Sequence, residues 1–455
     1  MKNIVASVGL VAIGASGIQS ASGQALMAAD ASKPWSVSAT LRGFYDDNVA
    51  TIPNNATVPD GSHRDSFGFE VSPAAALAWS MDQTTITLGA LYSFKYYENK
   101  PIGSTGHDEH TFTFNAGLTH AFNEQISLRV SDAFVIGQEP DLLRAGNTFA
   151  TFQRVSGDNI RNYGMIGLDA QLTPEVGLGV GYDNAFYDYK DRGPGVNGLI
   201  VQPSTAGALN RIENRAHIEV NYLVLPETKA LIGYQYTDIN YNADELISGT
   251  FFDPSTGAIV LDPNGNPTLF NPTYSKQRNS RQHTGYLGAE QTFSPQLKGS
   301  IRAGASYTEY PNDNTVNSTW TPYVNASLRY HYTELSYVEG GISYDRNATD
   351  VVGGGGANGV TVDAQSFVAY ASVNHAFTPH LIGSLLGQFQ NSHYHGGTYG
   401  GEDEQYYLVG LNLAYRFNQY FSTEVGYNYD RLASASSINR TFDRNRIYIG
   451  VTASY

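Results

Sequence analysis

Apolar and polar residues alternate with a period of two along most of this chain, and charged residues keep to one side of the alternation. In the stretch RIYIGVTASY, residues 446–455, Ile447, Ile449 and Val451 share one parity and Arg446 has the other. Successive side chains of a β-strand point to opposite faces of the sheet. The pattern therefore predicts strands with one apolar face and one polar face.

Two kinds of connection separate the alternating segments from Trp35 onward. One kind is short and similar throughout, as in HAFNEQIS, QTFSPQLK and RFNQYFS, where Asn, Ser and Pro supply turn geometry. The other kind is longer and rich in Gly, Asn, Asp and Pro, as in TIPNNATVPDGSH. About eight short turns and about nine longer loops, with both termini on the short-turn side, predict roughly 18 antiparallel strands, an even number.

A soluble sandwich with one wet face also alternates, so two further features decide the fold class. Phe122, Phe293, Phe377 and Phe417 come directly before short turns, where a membrane barrel carries interfacial aromatic residues. A charge at bilayer depth on a lipid-facing position costs about 2–4 kcal/mol, so the charged side of the strands must face a polar interior. We predict an all-β protein: a transmembrane antiparallel β-barrel with short periplasmic turns and long extracellular loops.

The N-terminal residues predict export. Lys2 precedes the small and apolar run IVASVGLVAIGASGI, and SGQA then offers small residues for signal-peptidase cleavage. We expect a signal peptide over residues 1–25, a periplasmic N-terminal segment over 26–34 and the barrel over 35–455. This organisation predicts the outer membrane of a diderm bacterium as the location.

Strand parity assigns a set of charged side chains to the predicted lumen. Side chains of both signs would create a transverse field that orders water in the pore. Asp132 instead has the apolar parity of its strand, which suggests a β-bulge there or a misassigned face. The predicted pore-lining residues are Arg42, Glu70, Lys95, Arg129, Asp183, Arg215, Glu219, Glu290, Lys298, Arg302, Arg329, Glu339, Arg416, Glu424 and Arg444.

The longest connection runs from Ala243 to about Arg278, and its charged residues are acidic until Lys276. One interpretation folds this loop into the barrel as an acidic, cation-preferring constriction. The alternative is an external flap that covers the mouth. The acidic residues of the predicted constriction are Asp244, Glu245, Asp253 and Asp262.

An aromatic residue followed by an acid recurs at the outer ends of strands, as in Tyr45-Asp46, Tyr182-Asp183, Tyr344-Asp345 and Tyr429-Asp430. The simpler interpretation is that the aromatic ring marks the membrane interface and the acid begins the loop. The alternative is a ring of carboxylates that holds divalent cations against lipopolysaccharide phosphates.

Metal, cofactor and catalytic chemistry are not expected. His107 with His110, and His393 with His395, lack third and fourth ligands nearby in sequence, so surface positions are favoured over a metal site. No serine elbow motif is present, and Cys is absent, which excludes thiol chemistry. The formal net charge of −15 argues against a nucleic-acid partner.

The segment RGFYDDNVATIP, residues 42–53, resembles the start of the beta-barrel porin 2 family. Members are similar in having a signal peptide and a first strand that runs into Tyr-Asp-Asp-Asn-Val or a close variant. The resemblance implies a barrel over the mature chain and no catalytic residues, and it leaves the transported solute open.

These features predict an outer-membrane porin that gives passive diffusion of small hydrophilic solutes, since about 16–18 strands enclose an aqueous channel. One alternative is a barrel for oligo- or polysaccharide translocation in an export or uptake system, and another is a plugged structural barrel of the envelope. The expected partners are outer-membrane lipid, lipopolysaccharide, the solutes, and the barrel assembly machinery, which would recognise Tyr455 at the end of the last strand. The oligomeric state stays open, and a homo-oligomer is compatible with the sequence.

Overall fold

The computed structural model is a β-barrel that closes on itself. It describes residues 33–102, 106–138, 158–313, 315–353 and 359–455, so the predicted signal peptide lies outside the described residues. The strands are β1 (Trp35–Asp46), β2 (Ser66–Ser80), β3 (Thr84–Tyr97), β4 (Asp108–Ala121), β5 (Ile126–Gly137), β6 (Asn159–Gln171), β7 (Val176–Tyr189), β8 (Gly195–Asn197), β9 (Ile200–Gln202), β10 (Arg211–Leu225), β11 (Thr228–Tyr241), β12 (Leu246–Thr250), β13 (Phe270–Tyr274), β14 (Ser280–Thr292), β15 (Leu297–Glu309), β16 (Thr319–Thr333), β17 (Ser336–Asn347), β18 (Asp363–Ala376), β19 (Leu381–His395), β20 (Asp403–Arg416), β21 (Phe421–Ser434) and β22 (Phe442–Ser454).

Eighteen of these strands form one antiparallel sheet, which confirms the predicted fold class. Each pairs with the strands before and after it along the chain, except where β7 pairs with β10 and β11 pairs with β14. The barrel closes where β1 pairs with β22, from Ser38 opposite Ser454 to Asp46 opposite Arg446. The alternation at the end of the chain is therefore that of a closing strand, whose edge groups are all paired.

The short turns follow from local sequence. The side-chain oxygen of Asn123 accepts hydrogen bonds from the backbone N–H groups of Gln125 and Ile126, both at 2.8 Å. Asn418 accepts the corresponding pair in the β20–β21 turn, and the Thr378 hydroxyl does so in the β18–β19 turn. Because these side chains replace the missing ladder bonds, each turn reverses the chain within a few residues.

Large apolar side chains cover the outer face of the barrel and end in two aromatic girdles. At the periplasmic rim, Phe122 and Phe377 are exposed, and each meets a histidine edge-on. At the outer rim, tyrosine hydroxyls bond to polar residues of the neighbouring strand, as Tyr182 does with Asn214 and Tyr427 with Asn445, both at 2.7 Å. An aliphatic band between aromatic girdles is the surface that a lipid bilayer covers.

The outer loops add a second, smaller layer of structure. Strands β8, β9, β12 and β13 form a four-stranded sheet separate from the barrel. A short helix α1 (Thr205–Leu209) begins at Ser204, whose hydroxyl accepts from the Gly207 N–H, and a 3₁₀ turn spans Ser275–Arg278. Among the described residues, no helix combines the length and hydropathy needed to cross a membrane.

Candidate functional site

The inner face of the wall carries the charged residues that parity assigned to the lumen. Arg42 and Glu70 are buried on this face, whereas their neighbours Leu41 and Val71 are exposed on the outer face. Strand alternation places the other predicted pore-lining residues on the same inner face. That this face lines an open aqueous path stays a prediction.

A tyrosine, a glycine, a glutamate and an arginine form the first inner-wall cluster. Tyr286 on β14 lies directly opposite Gly233 on β11, and a Cβ at position 233 would come within 2.2 Å of the tyrosine ring. The Tyr286 hydroxyl donates to Glu219 at 3.0 Å, and Glu219 accepts two bonds from Arg302, at 2.8 and 3.1 Å. The ring therefore lies flat on the wall because Gly233 leaves room for it.

The same arrangement recurs on β16, β17 and β18. Tyr370 lies opposite Gly341, where a Cβ would meet the ring at 2.6 Å. Its hydroxyl donates to Glu339 at 3.1 Å, and the Arg329 Nε donates to the other oxygen of that carboxylate at 2.7 Å. The acid thus holds the tyrosine and the arginine together on one patch of wall.

A third cluster lies next to the closing seam of the barrel. Tyr448 lies opposite Gly426, with the ring 2.2 Å from an added Cβ. The Asn412 amide donates to the Tyr448 oxygen at 2.9 Å and to Glu424 at 3.1 Å, and Arg42 donates to Glu424 at 2.5 Å. Here an asparagine joins the ring to the acid, and Glu424 and Arg42 complete the unit.

Several opposite charges of the inner wall are therefore neighbours. Parity assigns a face but gives no distance between strands, so the sequence did not predict these pairs. A smaller pair follows the same rule, with Arg129 2.6 Å from Asp169. The Asp183 carboxylate lies 3.6 Å from the His217 ring. Lys298 differs because it lies opposite another cation, Arg329, across the β15–β16 pairing.

In the aromatic–acid motif at the outer strand ends, the acids Asp46 and Asp430 face the inside of the barrel and each binds an arginine there. Asp46 is buried and bonds Arg444 at 2.5 Å, and Asp430 bonds Arg446 at 2.6 Å. Asp46 is the last residue of β1, Asp430 lies within β21, and both face inward, so neither acid begins a loop or faces lipopolysaccharide. The aromatic part of the simpler interpretation agrees with the outward-facing tyrosines at the outer rim. Sequence parity alone indicated their direction, since each differs in parity from the outward-facing tyrosine before it.

Three outer loops pack together at the mouth. Sequence analysis missed this cluster because its members come from connections far apart along the chain. Helix α1 contributes from the β7–β10 loop, β12 from the β11–β14 loop, and residues 348–353 and 359–362 from the β17–β18 loop. The buried members of this cluster, called the mouth cluster below, are Tyr189, Ala208, Leu209, Ile247, Val352 and Val360.

A buried arginine ties these loops together. Arg278 is fully buried and donates to the backbone oxygens of Ala208 at 2.9 Å and Thr349 at 2.6 Å. Burial lowers the pKa of its guanidinium from the usual value, although a guanidinium keeps its proton at any physiological pH. Arg278 thus satisfies carbonyl groups of two loops that would otherwise lack partners at the buried mouth.

A second arginine fixes the β17–β18 loop from the opposite side. Arg440 lies in the β21–β22 loop and donates to Asp350 at 2.6 Å and to Glu404 at 2.8 Å. Burial by itself disfavours the cation, but the two carboxylates outweigh it and hold the pKa of Arg440 well above its usual value. The β17–β18 loop is therefore held across the mouth from both sides.

The acids of the predicted constriction loop do not share one location. Asp253 and Asp262 are partly exposed in the outer part of the loop, where hydrogen bonds from Ser255 and Asn266 respectively lower their pKa. Asp244 pairs with Lys276 at 3.1 Å, and Glu245 bonds Ser204 of the β7–β10 loop. The base of the loop is buried in the mouth cluster, and an acidic constriction stays a prediction.

The histidine clusters also divide between the two faces of the wall. His110 bonds Asp108 at 2.9 Å on the outer side, whereas Glu109 is buried and accepts from Tyr97 at 3.0 Å. His393 lies 3.0 Å from Asp403. Over the described residues, no three His, Asp or Glu side chains come together in a metal-binding arrangement.

A closed barrel with an aliphatic outer band and a charged inner wall defines an outer-membrane β-barrel of the porin class. Its location is the bacterial outer membrane, because a closed barrel with an apolar outer band and a polar interior is the architecture of proteins that span that membrane. The model of the family described as Putative beta-barrel porin 2 matches residues 264–455, and this is the family that residues 42–53 resemble. A comparison with curated proteins finds no match.

Solved outer-membrane proteins are similar to this chain over most of its length, at low sequence identity. The outer membrane protein OpdK from Pseudomonas aeruginosa is 13% identical with a TM-score of 0.42, over 92% of this chain and 99% of that chain. OccK2 (OpdF) from Pseudomonas aeruginosa, solved in complex with glucuronate, is 12% identical with a TM-score of 0.42, over 92% and 98%. A BenF-like porin from Pseudomonas fluorescens Pf-5 is 11% identical with a TM-score of 0.42, over 92% and 99%.

Proposed function

We propose that this porin lets small hydrophilic solutes diffuse passively across the outer membrane and that neutral or zwitterionic solutes pass most readily. The observation that carries the proposal is the pairing of charges on the inner wall. Arg302 with Glu219, Arg329 with Glu339, and Arg42 with Glu424 each place a cation beside an anion. A wall of neutralised pairs offers hydrogen bonds to a polar solute and exerts little net field on an ion.

The mouth cluster supports a size limit on the solute. Three loops pack at the outer end, where Arg278 bonds their backbone oxygens and Arg440 bonds the Asp350 carboxylate. A constriction formed by fixed loops excludes solutes by size, because a packed cluster does not deform continuously. We infer no catalytic role for the chain, since the inner-wall acids Glu219, Glu339 and Glu424 are each bonded to an arginine.

Liposome swelling tests this proposal. Purified barrel is reconstituted into liposomes, which are diluted into isotonic solutions of neutral sugars of increasing size, of a zwitterionic amino acid, and of monoanionic and monocationic solutes of similar size. We expect swelling that falls with sugar size and changes little with solute charge. Liposomes with heat-denatured protein are the control. Swelling with only one sign of charge would contradict the proposal.

A second candidate, translocation of oligosaccharides, has one observation in its favour. The rings of Tyr286 and Tyr323 lie side by side on the inner wall with centroids 5.5 Å apart. Flat tyrosine surfaces are able to stack on sugar rings. In the same assay, an oligosaccharide that enters faster than a smaller monosaccharide would favour this candidate over general diffusion.

A further inference from the structure

One carboxylate interrupts the aliphatic band on the outer wall. Asp132 lies midway along β5, and the continuous register of β5 with β4 and β6 excludes the β-bulge that its parity suggested. Its outward-facing neighbours along β5 are Val130 and Phe134. The parity of Asp132 therefore indicated its face correctly, and its side chain lies on the lipid side of the wall.

The depth of Asp132 follows from the row of residues that it shares with adjacent strands. Ala116 on β4 and Gly164 on β6 lie directly opposite it, and the row continues through Asn184 to Asn214 at the outer tyrosine girdle. Since strands of a barrel are tilted, such a row climbs by several Å in all. Asp132 thus lies below the outer girdle, within the membrane band.

Other outward-facing charged residues lie at the outer ends of their strands, near the membrane surface. Among the described residues, Asp238, Arg281, Arg431 and Asp443 fall within the last few positions at the outer ends of their strands. Polar water and lipid headgroups solvate charges at that level. Asp132 instead lies midway along β5, away from the strand end, and an ionisable residue within the membrane marks a functional contact by default.

The surroundings of Asp132 form what we call the outer polar patch: Ala116, Asp132, Asn162 and Gly164. The Asn162 amide donates to both carboxylate oxygens, at 2.9 and 3.1 Å. Ala116 and Gly164 flank the carboxylate with little or no side chain, so it sits in a shallow depression, and a Cβ at position 164 would lie 3.6 Å from an Asp132 oxygen. Small residues of this kind let a second wall approach closely in a membrane.

We propose that the outer polar patch is the seam at which a second copy of this chain docks in the membrane. The Asp132 carboxylate has lone pairs left after it accepts from Asn162, and the Asn162 amide nitrogen carries two hydrogens. A two-fold axis along the membrane normal would therefore bring an acceptor of each copy to a donor of the other. A two-fold seam requires a self-complementary surface of this type. A lipid acyl chain would instead leave the carboxylate with no partner beyond its own strand pair. The proposal does not depend on which solute the pore carries.

The absence of cysteine makes the seam directly testable. The chain contains no cysteine, so Ala116→Cys and Gly164→Cys each introduce a single thiol at the seam. Leu411→Cys, on the outward face of β20, is the control. Each variant is expressed, and isolated outer membranes are treated with copper phenanthroline and run on a non-reducing gel. We expect a disulfide-linked dimer from at least one seam variant and monomer from Leu411→Cys. Equal dimer fractions in the seam and control variants would overturn the proposal.

Two further substitutions at Asp132 distinguish a specific seam from a chance collision of barrels in the membrane. In the Ala116→Cys background, Asp132→Leu should abolish the dimer, and Asp132→Asn, which keeps hydrogen-bonding capacity, should retain most of it. The heat-dependent gel mobility of each variant reports whether the barrel is folded. A dimer that persists undiminished with a folded Asp132→Leu barrel would show that Asp132 does not form the contact and would overturn the assignment.

Discussion

A tyrosine ring that lies flat over a glycine is the recurring unit of the inner wall. Tyr286, Tyr370 and Tyr448 each occupy the space above a glycine of the neighbouring strand, and two of them donate a hydroxyl to a glutamate. The glycine lets the ring pack against the backbone, which keeps the ring out of the lumen. This packing also compensates for a glycine in a strand interior, which is otherwise unfavourable.

Gly233→Ala tests this unit at the residue scale. The new methyl group would lie 2.2 Å from the Tyr286 ring and would force it off the wall and away from Glu219. Overpacking of this kind costs about 1–3 kcal/mol, so we expect a lower midpoint of thermal unfolding in detergent, followed by gel mobility. Gly285→Ala on adjacent β14 is the matched control, since nothing lies within 4 Å of its added Cβ. Equal midpoints for the two variants would refute the role of the glycine.

Parity predicted direction at the residue scale but not partners. It placed Arg302 and Glu219 on the inner face because direction depends only on odd or even position. Their contact depends on which residues lie opposite one another across β10, β11, β14 and β15, and a shift by one residue would change every pair. For Asp132, parity gave the correct outer face, and the bulge suggested to explain it was wrong.

The two ends of the barrel differ in how their connections are held. The outer loops are held by buried arginines, and the periplasmic turns are held by local hydrogen bonds. Five of the periplasmic turns each use one Asn, Ser or Thr side chain, namely Asn123, Thr173, Ser294, Thr378 and Asn418, and local sequence predicted these turns for that reason. The outer loops instead depend on residues distant in sequence, as Arg440 does on Asp350 and Glu404. Composition identified these loops as long and irregular and could not show that they pack on one another.

Arg440→Gln tests the mouth at the scale of the element. It leaves the Asp350 and Glu404 carboxylates buried without their cation, and breaking a buried pair in this way costs about 3–5 kcal/mol. We expect the β17–β18 loop to loosen and single-channel recordings to show a larger and noisier conductance. Arg431→Gln is the control, because its pair with Asp443 is 3.5 Å long and half exposed, and such pairs contribute little. Identical conductance traces from the two variants would show that the Arg440 ion pairs do not hold the β17–β18 loop in place.

The closed wall is the property of the whole molecule from which its location and function follow. Pairing of β1 with β22 removes the last free edges, so the 18 strands are able to span a bilayer. The sequence predicted this architecture because alternation, turn sequences and girdle positions repeat with every strand pair. The neutralised charges of the wall were not predictable, since they depend on distances between strands that alternation does not specify.

Single-channel conductance of the purified barrel in a planar bilayer tests the central claim, that the barrel is an open pore with a nearly neutral wall. In symmetric KCl we predict a steady open conductance. In a KCl gradient we predict a reversal potential close to zero, because the inner arginines and carboxylates are paired. A silent barrel would contradict the pore, and a reversal potential near the limit for a single ion would contradict the neutral wall.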